Sequence, residues 1–88
     1  MDEKFINYLE KSHFSKNTVA SYLFSVKQYF NNYSELSEKN LKKYKIWLIE
    51  TYKPKTVNLR LRAINCYLDF LKKNEMKLSF VKIQQKTF

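Results

Sequence analysis

The chain has 88 residues, of which 17 are Lys or Arg and eight are Asp or Glu, giving a formal net charge of +9. This length predicts one domain with a single small core. The chain contains no Gly, and because tight β-turns use Gly to reach positive φ, the composition argues against an all-β fold. A single Cys and a single His exclude an intrachain disulfide and a zinc-ligand set, so we expect neither metal nor cofactor.

The N-terminal sequence has none of the basic and apolar stretches of a signal peptide. The longest aliphatic or aromatic run, Ile46-Trp47-Leu48-Ile49, is too short to span a bilayer. We therefore expect a cytoplasmic protein that does not associate with membranes.

The positive charge is concentrated near the C-terminus. Residues 1–52 hold eight basic and six acidic side chains, a net charge of +2, whereas residues 53–88 hold nine basic and two acidic, a net charge of +7. Such an asymmetry indicates a polyanionic partner, although a solvated Lys-rich surface explains charge alone equally well.

Apolar residues at three- and four-residue steps predict four α-helices, over about Asp2–Lys11, Lys16–Tyr33, Glu38–Thr51 and Pro54–Lys73. Ser15 and Ser37 are placed to cap the second and third helices, and Pro54 suits the first turn of the fourth. The apolar arc of the fourth helix covers more than half its circumference, so it should be the most buried. The sequence thus predicts an all-α, compact four-helix bundle.

The pattern changes after Asn74. Leu78, Phe80 and, less regularly, Ile83 suggest an extended segment of period two. We therefore divide the chain into a helical domain, residues 1–74, and an extended linker toward a further domain, residues 75–88.

Outside its apolar arc, the fourth helix carries a narrow polar ridge that is basic and amide-bearing in its N-terminal half, with no carboxylate before Asp69. Lys and Arg neutralise phosphates, while Asn and Arg form paired hydrogen bonds with base edges, and first-turn amides add an anion site. The start of the second helix offers polar groups suited to phosphate contact. A solvated helix face is the competing interpretation. The predicted DNA-binding residues are Lys16, Asn17, Ser21, Lys27, Lys55, Thr56, Asn58, Arg62 and Asn65.

Two aromatic residues of the second helix need separate treatment. Tyr22 lies on the apolar stripe without a recognisable set of cations around it, so we interpret it as a core residue and not as a nucleophile. Phe24 falls on the polar side of the helix and is the best candidate for an exposed aromatic contact. We identify no catalytic residue, and we expect this chain not to be an enzyme.

Four passages resemble the N-terminal core-binding (SAM-like) domain of the phage integrase and tyrosine recombinase family. They are Phe5-Ile6-Asn7-Tyr8-Leu9, Ser15-Lys16-Asn17-Thr18-Val19 followed by Tyr22, Leu41 through Leu48, and Lys55-Thr56-Val57-Asn58 with Leu61-Arg62-Ala63-Ile64 and Phe70-Leu71. The match covers about Phe5 to Leu71. The chain departs from many relatives at Asn65, where they have Arg, and at Leu23-Phe24, where they have basic residues.

The resemblance implies a four-helix bundle forming half of a C-shaped clamp, with its second and fourth helices facing the major groove. It also implies a catalytic domain elsewhere in the parent protein, and contacts with other recombinase protomers in a synapse. The family's catalytic residues belong to that other domain, and none transfers to this chain. A basic helical protein-interaction domain and a membrane-surface helical protein are the alternatives. The basic and amide groups of residues 53–73 favour duplex DNA over a protein partner. A membrane would occupy the apolar arc of the fourth helix, but the other three amphipathic helices need that arc to close a core.

Overall fold

The computed structural model describes residues 3–83, which form four α-helices and a short 3₁₀ turn without any strand. The helices are α1 (Glu3–Lys11), α2 (Lys16–Asn32), α3 (Glu38–Thr51) and α4 (Pro54–Phe70), and the turn is Asn74–Met76. The predicted all-α four-helix bundle is confirmed. The predicted start of the first helix at Asp2, and residues 84–88 of the predicted linker, lie outside the described residues. No helix within residues 3–83 has the length and apolarity needed to cross a bilayer.

The core is built around α4, which contacts the other three helices and the 3₁₀ turn. Its buried residues are Val57, Leu61, Ala63, Ile64 and Leu68. They pack against residues of the apolar stripes of α1, α2 and α3, including Phe5, Tyr29 and Leu48, which are fully buried. The prediction that the fourth helix is the most buried one is therefore confirmed.

Serine caps fix the starts of two helices. The Ser15 and Ser37 hydroxyls accept hydrogen bonds from the backbone amides of Thr18 (3.2 Å) and Asn40 (3.1 Å). Each bond satisfies one of the amides that have no carbonyl partner within the helix. Both caps predicted from the sequence are thus present.

Two helices end without glycine in the position that usually holds it. His13 after α1 and Lys72 after α4 take positive φ values of 64° and 60°. In both turns the next residue's amide donates to a carbonyl five residues earlier, Phe14 to Leu9 and Lys73 to Leu68. This bonding pattern closes a helix through one left-handed residue. It ends α4 at Phe70, three residues before the predicted Lys73.

Residues 77–83, called the C-terminal segment below, lie antiparallel along α4. The Leu78 amide donates to Asn65 Oδ1 and Asn65 Nδ2 donates to the Leu78 carbonyl, both at 2.9 Å. Asn58 makes the same two bonds, also at 2.9 Å, with the amide and carbonyl of Val81. The two asparagines are about 10.5 Å apart along a helix, and three extended residues span about 10 Å, so both pairs form in register.

Further contacts hold the C-terminal segment. The Lys77 ammonium pairs with the Asp69 carboxylate at 2.6 Å, and the Lys45 ammonium of α3 donates to the Ser79 carbonyl at 2.6 Å. Leu78 and Val81 are half-buried against the core. The described part of the predicted linker is therefore packed on the helical domain, and its backbone forms no β-strand.

Candidate nucleic-acid interface

The starts of α2 and α4 meet at two adjoining surface depressions. One, of about 240 Å³, is lined by Asn17, Thr18, Ser21 and Tyr22 of α2 together with Leu59 and Arg62 of α4. The other, of about 490 Å³, is lined by Lys55, Thr56, Asn58, Leu59, Arg62 and Ile83. They share Leu59 and Arg62, and together they are called the α2–α4 depression below. Six of the nine predicted DNA-binding residues lie there.

The α2–α4 depression is electropositive. None of the side chains that line it is acidic, and the first turns of both helices lack acidic residues. Lys53, the N-cap of α4, makes no side-chain capping bond. Within residues 3–83, the amides of Lys55 and Thr56 therefore have neither a helical carbonyl nor a capping side chain as partner, and they add partial positive charge beside the Lys55 ammonium.

Arg62 lies where the two parts of the depression join, and its side chain is exposed. Its guanidinium carbon is 5.8 Å from the centre of the Phe80 ring, and no carboxylate of residues 3–83 pairs with it. A guanidinium in this position keeps donors free for a phosphate or for a guanine edge.

Tyr22 forms part of the floor of the depression and is only 5% exposed. Burial raises the pKa of its hydroxyl, the nearby Cys66 adds to the increase, and Arg62 opposes it. A buried phenol with a raised pKa is a poor nucleophile at neutral pH. The geometry agrees with the interpretation of Tyr22 as a core residue.

Three of the nine predicted residues, Lys16, Lys27 and Asn65, do not line the α2–α4 depression. Lys16 is exposed beside a depression of about 420 Å³ near the α1–α2 junction, with Glu10 and Phe14. Lys27 is exposed beside a third depression, between α2 and α3. Neither cation lines the α2–α4 depression, because successive positions of α2 turn these side chains to other faces.

The prediction that Asn58 and Asn65 present their amides to base edges needs correction. Each carboxamide uses both its oxygen and its nitrogen on one backbone residue of the C-terminal segment. The same donor and acceptor pair would be required to bind an adenine edge, so neither side chain can do both at once. In this structure the two asparagines hold the chain's own backbone.

The sequence did not single out Arg60, which joins several elements. Its guanidinium lies over the rings of Phe24 (4.6 Å) and Tyr52 (5.4 Å), and it donates to the buried Ser25 hydroxyl at 3.4 Å. The Nε atom of Arg60 is buried, and no hydrogen-bond partner for it lies within residues 3–83. Phe24 itself is 54% exposed, as predicted from its place on the polar side of α2.

The sequence motifs on which the family resemblance rests have structural roles in this fold. Ser15 caps α2 through the Thr18 amide, and its hydroxyl also donates to the Thr18 hydroxyl at 3.0 Å. Leu61, Ala63 and Ile64 are buried in the core. These positions therefore determine how α2 and α4 begin and pack, and the DNA-facing candidates lie between them.

No group of three or more His, Cys, Asp or Glu side chains within residues 3–83 is placed to hold a metal ion. In comparisons with known proteins, no family model, curated protein or solved structure matches the chain.

Proposed function

We propose that this chain is a DNA-binding domain that grips duplex DNA through the α2–α4 depression. The observation that carries the proposal is the meeting of Lys55, Arg62, Asn17 and Ser21 at one acid-free surface beside the uncapped start of α4. Cations and free amides of this kind contact phosphates, and Arg62 and Asn17 have donors that suit base edges. The net charge of +9 supports a polyanionic partner.

The proposal is tested by titrating a fluorescent duplex with the chain at two or more salt concentrations. The affinity should fall as salt rises, with a log–log slope of about −0.9 for each phosphate neutralised. Arg62→Ala should reduce the magnitude of the slope by about one unit if Arg62 binds a phosphate, or cost about 1–3 kcal/mol in a sequence-dependent way if it binds guanine.

A charge-matched variant separates a specific surface from net charge. Lys39, on α3, is exposed and lines neither part of the α2–α4 depression. Lys39→Ala removes one positive charge, as Arg62→Ala does, but should leave the affinity nearly unchanged. Equal losses in the two variants, or no binding at low salt, would refute the assigned surface.

We also propose that the domain belongs to a tyrosine recombinase, as its core-binding part. The support is the order and spacing of the four resembling passages, together with the four-helix bundle. The chain should then bind DNA without cleaving it, and a suicide substrate should yield no protein–DNA adduct. An adduct at Tyr22 or any other tyrosine would contradict this assignment.

Protein interaction is a second candidate function, favoured by two exposed isoleucines on α3. Ile46 and Ile49 are 56% and 49% exposed. Exposed aliphatic residues on one helix suit contact with another protein, including a second protomer. Sedimentation of the wild type and of the Ile46→Lys variant tests this: concentration-dependent association that the variant abolishes would support it.

A further inference from the structure

A depression between α2 and α3 has the composition of a site for an unpaired nucleobase. It measures about 350 Å³, within the range of small-ligand sites, and is lined by Phe24, Lys27, Gln28, Asn31, Asn32 and Trp47. Two lining residues are aromatic, three carry amides and one is a cation, with no acidic residue among them. It is distinct from the α2–α4 depression, with which it shares no lining residue.

The aromatic walls of this depression are held in place by a continuous set of ring contacts. Arg60 lies over Phe24 at 4.6 Å and over Tyr52 at 5.4 Å, and the Tyr52 ring meets Trp47 edge-on at 5.8 Å. Tyr44 stacks on Trp47 with ring centroids 6.0 Å apart. These contacts fix both walls before any ligand arrives, which lowers the entropy cost of binding.

The polar groups around the depression divide into structural and available ones. The Gln28 side chain has a structural role, since its Nε2 donates to the Tyr52 hydroxyl (3.0 Å) and its Oε1 accepts from the Tyr44 hydroxyl (2.8 Å). The Asn31 side chain makes no hydrogen bond within residues 3–83, and Lys27 is exposed without an acidic partner there. An amide donor and acceptor and a cation are therefore available beside a 54% exposed phenyl ring.

We propose that this depression binds an unpaired base of a single-stranded nucleic acid. The base would contact Phe24 and Trp47, the Asn31 amide would bind its polar edge, and Lys27 would contact the adjoining phosphate. Aromatic side chains beside cations bind single strands because every base presents a π-face. An apolar protein segment would instead favour an aliphatic rim, which this depression lacks. The proposal goes beyond duplex binding and does not depend on it.

Trp47, the only tryptophan of the chain, reports directly on this site. Titration with a short single-stranded oligothymidylate should quench its fluorescence to saturation. An abasic oligonucleotide with the same number of phosphates should quench it far less. Quenching by both alike would overturn the proposal, because it would show that phosphates alone are recognised.

Variants connect the quenching to the depression. Phe24→Ala should weaken oligothymidylate binding about 5- to 150-fold, the range for loss of one base–aromatic stack. Phe24→Tyr should retain most of the affinity, and Asn31→Asp, at an exposed position, should weaken binding by adding a negative charge. Phe14→Ala is the matched control, since Phe14 is also exposed (38%) but lines another depression.

Arg62→Ala separates this proposal from duplex binding. The variant should weaken duplex binding and leave the oligothymidylate quench intact, whereas Phe24→Ala should weaken the quench more than duplex binding. If oligothymidylate fails to quench Trp47, or quenches it equally in the Phe24→Ala variant, the proposal is wrong whatever the duplex titration shows.

Discussion

Replacing Asn65 with Ala should loosen the attachment of the C-terminal segment to α4. The variant loses two hydrogen bonds of 2.9 Å to the backbone of Leu78. A protein hydrogen bond contributes a net stability of about 0.5–1.5 kcal/mol, so the pair contributes about 1–3 kcal/mol. For a domain of this size, each kcal/mol lowers the melting temperature by roughly 4–8 °C.

The substitution also raises the helix propensity at position 65, and this stabilising effect must be separated from the loss of the two hydrogen bonds. Alanine favours a helix interior over asparagine by up to about 0.7 kcal/mol. Asn7 provides the control, since it is exposed in the middle of α1 and makes no hydrogen bond through its side chain within residues 3–83. The difference between Asn65→Ala and Asn7→Ala therefore measures what the Asn65 side chain contributes by holding the C-terminal segment.

Thermal unfolding followed by circular dichroism gives the stability, and amide hydrogen exchange gives the local effect. In the wild type the Leu78 and Val81 amides should exchange slowly, and in Asn65→Ala both should exchange faster. The double variant with Asn58→Ala should cost less than the sum of the single variants, because either change loosens the same segment. The reasoning is refuted if Asn65→Ala melts like Asn7→Ala and the wild-type Leu78 amide exchanges as fast as an exposed loop.

Three further predictions concern the core, a cap and the tyrosines. Leu61→Ala should lower the free energy of unfolding by about 2–5 kcal/mol, because it opens a cavity at a fully buried position. Arg62→Ala should change the free energy of unfolding by no more than about 0.5 kcal/mol. Urea denaturation measures both values, and equal effects would contradict the assignment of Leu61 to the core and Arg62 to the surface. Ser15→Ala should cost about 0.5–2 kcal/mol by removing the α2 cap, and an unchanged melting temperature would show that the cap is dispensable. Burial raises the pKa of Tyr22, Tyr29 and Tyr44 above the ordinary value of about 10, so the folded state favours the neutral phenols. These tyrosines should therefore leave the stability unchanged below about pH 10 and lower it as the pH rises above that value. Urea unfolding at several alkaline pH values measures this, and an increase in stability with pH would contradict the argument.

The sequence predicted the helices well because their signals are local. Three- and four-residue apolar spacing and a serine cap determined α3 with the bounds Glu38–Thr51 that the structure has. The end of α4 was predicted three residues late, since a left-handed turn at Lys72 is hard to foresee without glycine. Leu59 is an apolar residue of α4 but is 40% exposed, because the neighbouring helices do not cover the whole apolar arc.

The contacts that the sequence did not reveal connect distant residues. Asn65 and Asn58 bind positions 13 and 23 residues further along, and Arg60 meets Ser25 from a distance of 35 residues. No periodicity marks such pairs, and a polar residue on a helix looks the same whether it faces solvent or holds a segment. One signal for this contact was present in the sequence. Two asparagines seven residues apart on a helix are separated by the same distance as two apolar residues three positions apart in an extended chain.

Amide chemical-shift mapping of the ¹⁵N-labelled chain with a short duplex tests the DNA-binding surface most directly. Perturbations should concentrate at residues 17–21 of α2 and 55–62 of α4, and they should diminish as salt is raised. Perturbations confined to α1 or to the exposed face of α3, or a spectrum unchanged by duplex at low salt, would contradict the proposed function.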